Sequence, residues 1–115
     1  MAMRTELAVD ISERDFQDVV IEYARIMGWR IAHFRPARTA HGYRTPMQGD
    51  KGFPDLVLAR KGRVVFAELK SKRGPVQHDQ KAWLEELAPP GQIADVDVFL
   101  WRPSDFETIK KVLGR

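Results

Sequence analysis

Apolar residues recur at helical spacing after Ser12, where Phe16, Val19, Val20, Tyr23 and Met27 form an i, i+3, i+4, i+7 stripe. Ser12 supplies an N-cap, Asp15 a first-turn acid and Gly28 a stop, so a helix is predicted from Ser12 to about Met27. The pattern then shortens. Trp29 to Arg35 alternates well enough for a strand. Leu56 to Arg60 and Arg63 to Ala67 are apolar and β-branched runs, and Lys61-Gly62 between them reads as a hairpin turn. A second helix is predicted from Gly74-Pro75 to about Leu87, with Pro89-Pro90-Gly91 as its stop. Its stripe is Val76, Trp83, Leu84 and Leu87, with Gln80 in the middle. Asp95 to Trp101 reads as a strand with Val96, Val98 and Leu100 on one face, and Ser104-Asp105-Phe106-Glu107 as a capping box for a helix to about Leu113. The order α-β-β-β-α-β-α predicts an α/β fold. Its mixed sheet is flanked by helices, and the strands on either side of the second helix run parallel through a right-handed crossover.

The hairpin makes a chemical prediction. A two-residue turn pairs Arg60 with Arg63, Ala59 with Val64, Val57 with Phe66, and therefore Asp55 with Glu68. Opposed residues have Cβ atoms ~5 Å apart. The two-residue period then puts Lys70 on the face of Glu68, and Leu69 on the other face with Ala67, Leu56 and Leu58. Two carboxylates this close raise the cost of ionising each other, and a bound cation reverses that penalty. Two acids and an ammonium at one point suit a divalent metal beside a hydrolytic water. Lys-Gly is a poorer type I′ turn than Asn-Gly; a type I turn with a bulge at Gly62 would slip the pairing by one and leave the acids close but not opposite.

Two further polar residues fall on helix faces that ought to be apolar. Glu13 lies on the rim of the face that carries the first stripe. It is either an exposed first-turn acid favoured by the helix dipole or a metal ligand, direct or through water. Gln17, one turn on, lies farther round the same side and could support it. Gln80 either satisfies a buried backbone group or orients something in a site.

Composition narrows the class without deciding it. The chain of 115 residues suits a single domain spanning 1–115, with 1–11 expected to be a flexible N-terminus. It has no cysteine, which excludes disulfides and thiolate metal sites. No apolar run suggests a signal sequence or a membrane span, so a cytoplasmic location is expected, the host cytoplasm if a phage encodes it. The formal net charge of +3 is compatible with a polyanionic partner and too small to prove one. His33, His41 and His78 have no metal-type spacing, and surface or packing roles are expected for them. Lys110-Lys111 reads as a solvated face.

Glu13, the Gly52-Phe53-Pro54-Asp55 step, Glu68-Leu69-Lys70 and the helix residue Gln80 together resemble the PD-(D/E)XK nuclease superfamily. More narrowly they resemble a stand-alone VRR-NUC domain, of the kind found in phages and in the Fanconi-associated nuclease, with a likeness to Holliday junction resolvases. The resemblance runs from about Ser12 to Leu113 and implies the restriction-endonuclease-like αβββαβ core followed by a C-terminal helix. It implies that Asp55 and Glu68 bind the metal, that Leu69 adds its backbone carbonyl, and that Lys70 is the catalytic lysine. Glu13 becomes the first-helix acid of the metal site, and Gln80 the helix glutamine of the catalytic set. Oxygen ligands select a hard cation, Mg²⁺ or Mn²⁺, and no small-molecule cofactor is expected. The implied reaction is hydrolysis of a DNA phosphodiester bond by an endonuclease.

Residues 36–54 show no clear element and form a long basic loop, beyond the ~12–15 residues at which a plain loop becomes suspicious. With Arg35 before it, this stretch carries Arg38, His41, Arg44 and Lys51, and Gly42, Gly49 and Gly52 lend it flexibility. It is either a solvated loop or a set of phosphate contacts, with Arg35, Arg38, Arg44 and Lys51 as the contacts; Lys72 and Arg73 after the catalytic strand are further candidates. Three functions follow: a structure-specific nuclease on branched DNA such as Holliday junctions, acting as a homodimer; the same chemistry on flap, nicked or plain duplex DNA; or a nucleic-acid-binding module that does not cut. The branched substrate, the dimer and a part in repair or recombination rest on the resemblance alone.

Overall fold

The computed structural model describes residues 10–34, 37–44, 48–88 and 96–115, with the backbone alone at 37–39 and 43–44. Helix α1 (Glu13–Ile26) starts where predicted, because the Ser12 hydroxyl accepts the Asp15 N–H at 3.0 Å. Its buried face is rotated from the predicted stripe. Phe16, Gln17, Val20 and Ala24 are buried, while Val19, Tyr23 and Met27 are only half-buried. At ~100° per residue this buried set centres on the line of Glu13. Of the stretch expected to be a flexible N-terminus, residues 1–9 lie outside the described residues, and Ile11 packs against the core.

Strand β1 (Arg30–His33) is shorter than the predicted Trp29–Arg35, and Arg35 lies outside the described residues. The expected featureless basic loop needs a correction. It contains a two-stranded antiparallel ribbon, β2 (Ala37–Thr39) and β3 (Gly42–Arg44), closed at Gly42 by a positive φ of 103°. Strands β4 (Leu56–Arg60) and β5 (Arg63–Leu69) form the predicted hairpin with the predicted register, Arg60 facing Arg63 and Val57 facing Phe66. Lys61 and Gly62 both have positive φ, 50° and 83°, as a type I′ turn requires. The slipped, bulged alternative is thereby excluded.

Helix α2 (His78–Leu87) begins later than Gly74-Pro75. The reason lies elsewhere in the chain: Arg102 Nη1 donates to the carbonyls of Ser71 at 2.7 Å and Gly74 at 2.9 Å and holds 71–74 as a turn. The predicted stop at Pro89-Pro90-Gly91 lies outside the described residues, as does Asp95. Strand β6 (Val96–Trp101) follows and pairs parallel to β5, as predicted. The Ser104 capping box is also corrected. Pro103–Asp105 form a 3-10 turn, the Asp105 carboxylate accepts the Arg102 N–H at 2.9 Å, and α3 (Phe106–Gly114) starts after it. Glu107 pairs with Lys110 at 3.1 Å instead, so Lys110 is not simply solvated. No helix among the described residues is long and apolar enough to cross a membrane.

The sheet order is β1-β4-β5-β6. On one face Leu56, Leu58, Val65, Ala67 and Leu69 pack with α1 and α3 into the apolar core. The other face carries α2, which buries none of its residues fully. There Phe53 makes edge contacts with Phe34, Phe66 and Trp83, at 5.4, 5.9 and 4.9 Å between ring centroids. At the hairpin tip Arg60 Nη1 donates to the carbonyls of Met27 at 2.8 Å and Leu113 at 3.0 Å, which closes the C-terminal ends of α1 and α3. Trp29 Nε1 donates to the same Leu113 carbonyl at 2.8 Å, with the Arg60 guanidinium over its ring at 4.5 Å.

Candidate active site

At the opposite end of the hairpin the β4–β5 ladder stops at Leu56 and Ala67, just short of Asp55. Pro54 precedes it and has no N–H to extend the ladder. The Asp55 backbone carbonyl instead accepts the Phe34 N–H at 2.9 Å, and its side-chain Oδ2 accepts the Leu69 N–H at 2.8 Å. Asp55 thus crosses to β5 through its carboxylate, and a hydrogen bond joins it to the Glu68 carboxyl. Glu68 is 1% exposed and Lys70 is 7% exposed, both on the side of the sheet that carries α2.

Burial is the first cause pushing the Glu68 carboxyl up, to about 9; the Asp55 hydrogen bond and charge add to it, Lys70 opposes it and Glu13 adds a little more. Glu13 is raised too, first by burial. Lys70 lowers it, Asp55 raises it, and a backbone hydrogen bond from Ser71 lowers it. Half-buried Glu13 thus lies within electrostatic reach of Lys70 and Asp55. Three carboxyl groups and one ammonium influence one another across the ends of α1, β4 and β5.

Gln80 combines the two roles predicted as alternatives. Its Oε1 accepts the Gln77 N–H at 2.9 Å, closing the first turn of α2, and its Nε2 donates to Glu68 Oε1 at 3.2 Å. The helix cap fixes which end of the amide faces the acid. The segment before Asp55 is clamped onto the same helix: Trp83 Nε1 donates to the Asp50 carbonyl at 3.0 Å, and Lys51 pairs with Asp79 at 3.5 Å. Gly52, expected to confer flexibility, is instead a close-packed position. Its φ is +97°, and a Cβ there would lie 2.6 Å from the Asp79 carbonyl carbon.

Apart from the hydrogen bond with Asp55, no donor among the described residues reaches the buried Glu68 Oε2. Such a carboxylate oxygen beside a second carboxylate fits a hard cation, whose binding would displace the shared proton. Among the described residues no group of three or more His, Asp or Glu side chains is gathered tightly enough to enclose an ion alone.

The basic residues separate. Lys72 and Arg73 are exposed on the turn after Lys70, beside an open cleft of about 340 Å³ shared with Asp10, Ile11 and Ser71. The backbones of Arg38 and Arg44 sit in the ribbon, and Arg35 is outside the described residues. Two features had only partial sequence signals. Gln17 Oε1 lies 3.3 Å from His33 Nε2, a polar pair at the edge of the core one turn from Glu13. Arg102 also reaches the Lys72 carbonyl at 3.3 Å and so organises the basic turn; nothing local marks that arginine.

A family model, the VRR-NUC domain, matches residues 30–98. The chain belongs to the VRR-NUC domain family. It is thus a PD-(D/E)XK-type nuclease domain, and DNA is the substrate that membership implies. No curated protein matches the chain. The matched span includes Asp55, Glu68, Lys70 and Gln80 but not Glu13, whose place at the site rests on the geometry.

Proposed function

We propose that this VRR-NUC domain is a metal-dependent DNA endonuclease, structure-specific for branched DNA such as Holliday junctions and active as a homodimer in repair or recombination. One observation supports the metal dependence: half-buried Asp55 against buried Glu68, whose Oε2 no other donor among the described residues reaches. Asp55, Glu68 and the Leu69 carbonyl would hold Mg²⁺ or Mn²⁺, with Glu13 contributing through water, and such an ion would lower the pKa of a water and offset charge developing on the phosphate. Lys70 holds the attacking water and a phosphate oxygen, and its ammonium balances the negative charge that builds there. Gln80 keeps the Glu68 carboxylate turned toward the ion. Lys72, Arg73, Lys51, Arg35, Arg38 and Arg44 bind phosphates and position the duplex without reading its sequence.

The branched substrate and the dimer draw support from the likeness to junction resolvases, since one site in a small domain cuts two strands symmetrically only as a pair. The test gives the protein a Holliday junction, a flap, a nicked duplex and plain duplex with Mg²⁺, Mn²⁺ or EDTA. The junction is cut fastest, only with metal, and the Lys70→Ala and Glu68→Gln proteins lose about 10²–10⁴-fold in rate. Wild-type rates in both variants overturn the site. Binding without cutting under every metal condition makes the protein a non-cutting module.

A further inference from the structure

The sheet face that carries Glu68 and Lys70 is covered unevenly. Helix α2 packs beside β6 and Phe53 bridges Phe34 and Phe66 near the site, whereas toward the hairpin tip Arg30, Ala32 and Ala59 on β1 and β4 are exposed. Arg30 faces Ala59, and Ala59 faces Val64, so register puts Arg30 on the face of Phe66, Glu68 and Lys70. Between Arg30 and the Asp55 end this face presents the small exposed side chains of Ala32 and Ala59 and the half-buried Val57. Beyond Ala59 the face ends in a depression of about 670 Å³ at the hairpin tip, lined by Arg30, Arg60, Lys61 and Arg63 among others. Arg60 is bonded to helix carbonyls, and Arg63 to the Val112 carbonyl and Asp97. Arg30 and Lys61 are exposed, and among the described residues neither is in an ion pair.

We propose that this open half-face is a second DNA-contact surface, on which Arg30 and Lys61 hold backbone phosphates of the duplex whose scissile bond lies at Asp55 and Glu68. It rests on DNA being the substrate. Four to six strand residues separate Asp55 from Ala59 and Lys61, or roughly 13–20 Å at ~3.3 Å per residue. That spans roughly four to six base pairs at ~3.4 Å each. The charge is right for a polyanion, and β4 runs directly from the tip to Asp55. The nuclease therefore needs an intact arm of about that length on one side of the cut.

Binding is measured in EDTA, where nothing is cut, by fluorescence anisotropy of a labelled duplex over a range of salt concentrations. Arg30→Gln and Lys61→Gln each lower the slope of log affinity against log salt by about 0.9, and the double variant by about twice that. Arg30→Lys restores the slope, and unchanged thermal unfolding shows that the fold is intact. Trimming the duplex on one side of the cut below four base pairs weakens wild-type binding to the level of the double variant and leaves the double variant unaffected. A double variant with wild-type affinity and slope overturns the surface while leaving DNA as substrate intact. A wild-type protein that binds no DNA overturns both.

Discussion

The two ends of the β4–β5 hairpin share the same pair of strands and are built from opposite charges. At the base, half-buried Asp55 meets buried Glu68, with Glu13 and Lys70 around them, and no donor among the described residues other than this pair's own proton reaches Glu68 Oε2. At the tip, Arg60 is fully engaged, with two helix carbonyls and an indole ring. A cation that finds neutral acceptors stabilises the fold, because guanidinium donors complete carbonyls the helices leave open. Two acids brought together, with only the Leu69 N–H, the Gln80 amide and one ammonium to offset them, still raise the cost of ionising each other. The tip reads as structure and the base as stored demand for a ligand.

The largest test of that contrast is the pH dependence of the metal-free protein. Glu68 binds its proton up to about pH 9 when folded and only to its ordinary carboxylate range when unfolded. Between these values the folded state holds the extra proton, so stability falls as pH rises. Wild type in EDTA should lose several kcal/mol relative to Glu68→Gln between about pH 5 and pH 9, an order-of-magnitude figure from the linkage relation. Thermal unfolding across that range measures it. Mg²⁺ should flatten the fall, because it favours the ionised pair. A wild type that tracks Glu68→Gln at every pH would rule out the shared proton. The variant that is inactive should thus be the more stable protein at alkaline pH.

How far the sequence foretold these two ends depends on how local the causes are. The hairpin register was legible, since the strands alternate and Lys61-Gly62 allows a two-residue turn; so were the acids at its base and the order of the sheet elements. Glu13 was seen, but its position was misjudged. The buried face of α1 includes Gln17 and Ala24, a polar and a small residue that hydrophobic patterning underweights. The start of α2 was misplaced because Gly74-Pro75 resembles a helix opening, while the turn it occupies is held by Arg102 on a distant segment. Ser104 looked like a cap, yet Asp105 turns back to the Arg102 N–H and a 3-10 turn takes its place. The ribbon of β2 and β3 is too short for periodicity to reveal. The close approach of Gly52 to Asp79 is a tertiary fact that no local pattern encodes.

At the tip, Arg60→Met keeps the aliphatic stem and removes the guanidinium. The Met27 carbonyl loses its side-chain donor, the Leu113 carbonyl keeps only Trp29 Nε1, and the Trp29 ring loses the nearer of its two guanidinium groups. The expected loss is about 1–3 kcal/mol, measured by urea unfolding, with the rate of DNA cutting per folded molecule unchanged. A loss of activity without a loss of stability would move Arg60 out of the structural half of the contrast.

The smallest effect separates position from charge. Lys51 is also a cation on this molecule, near the base rather than the tip, and its ion pair with Asp79 leaves its side chain 87% exposed. Exposed pairs contribute little because water competes for both partners and two long side chains must be ordered. Lys51→Ala should therefore change unfolding stability by less than about 0.5 kcal/mol. If Lys51 also meets a phosphate, the same variant lowers the salt slope of duplex binding by about 0.9. A shift in stability as large as that of Arg60→Met would mean that the clamp between Asp50 and α2 depends on the ion pair. In that case the base of the hairpin, too, would be held by a cation acting as structure, and the contrast between the two ends would narrow.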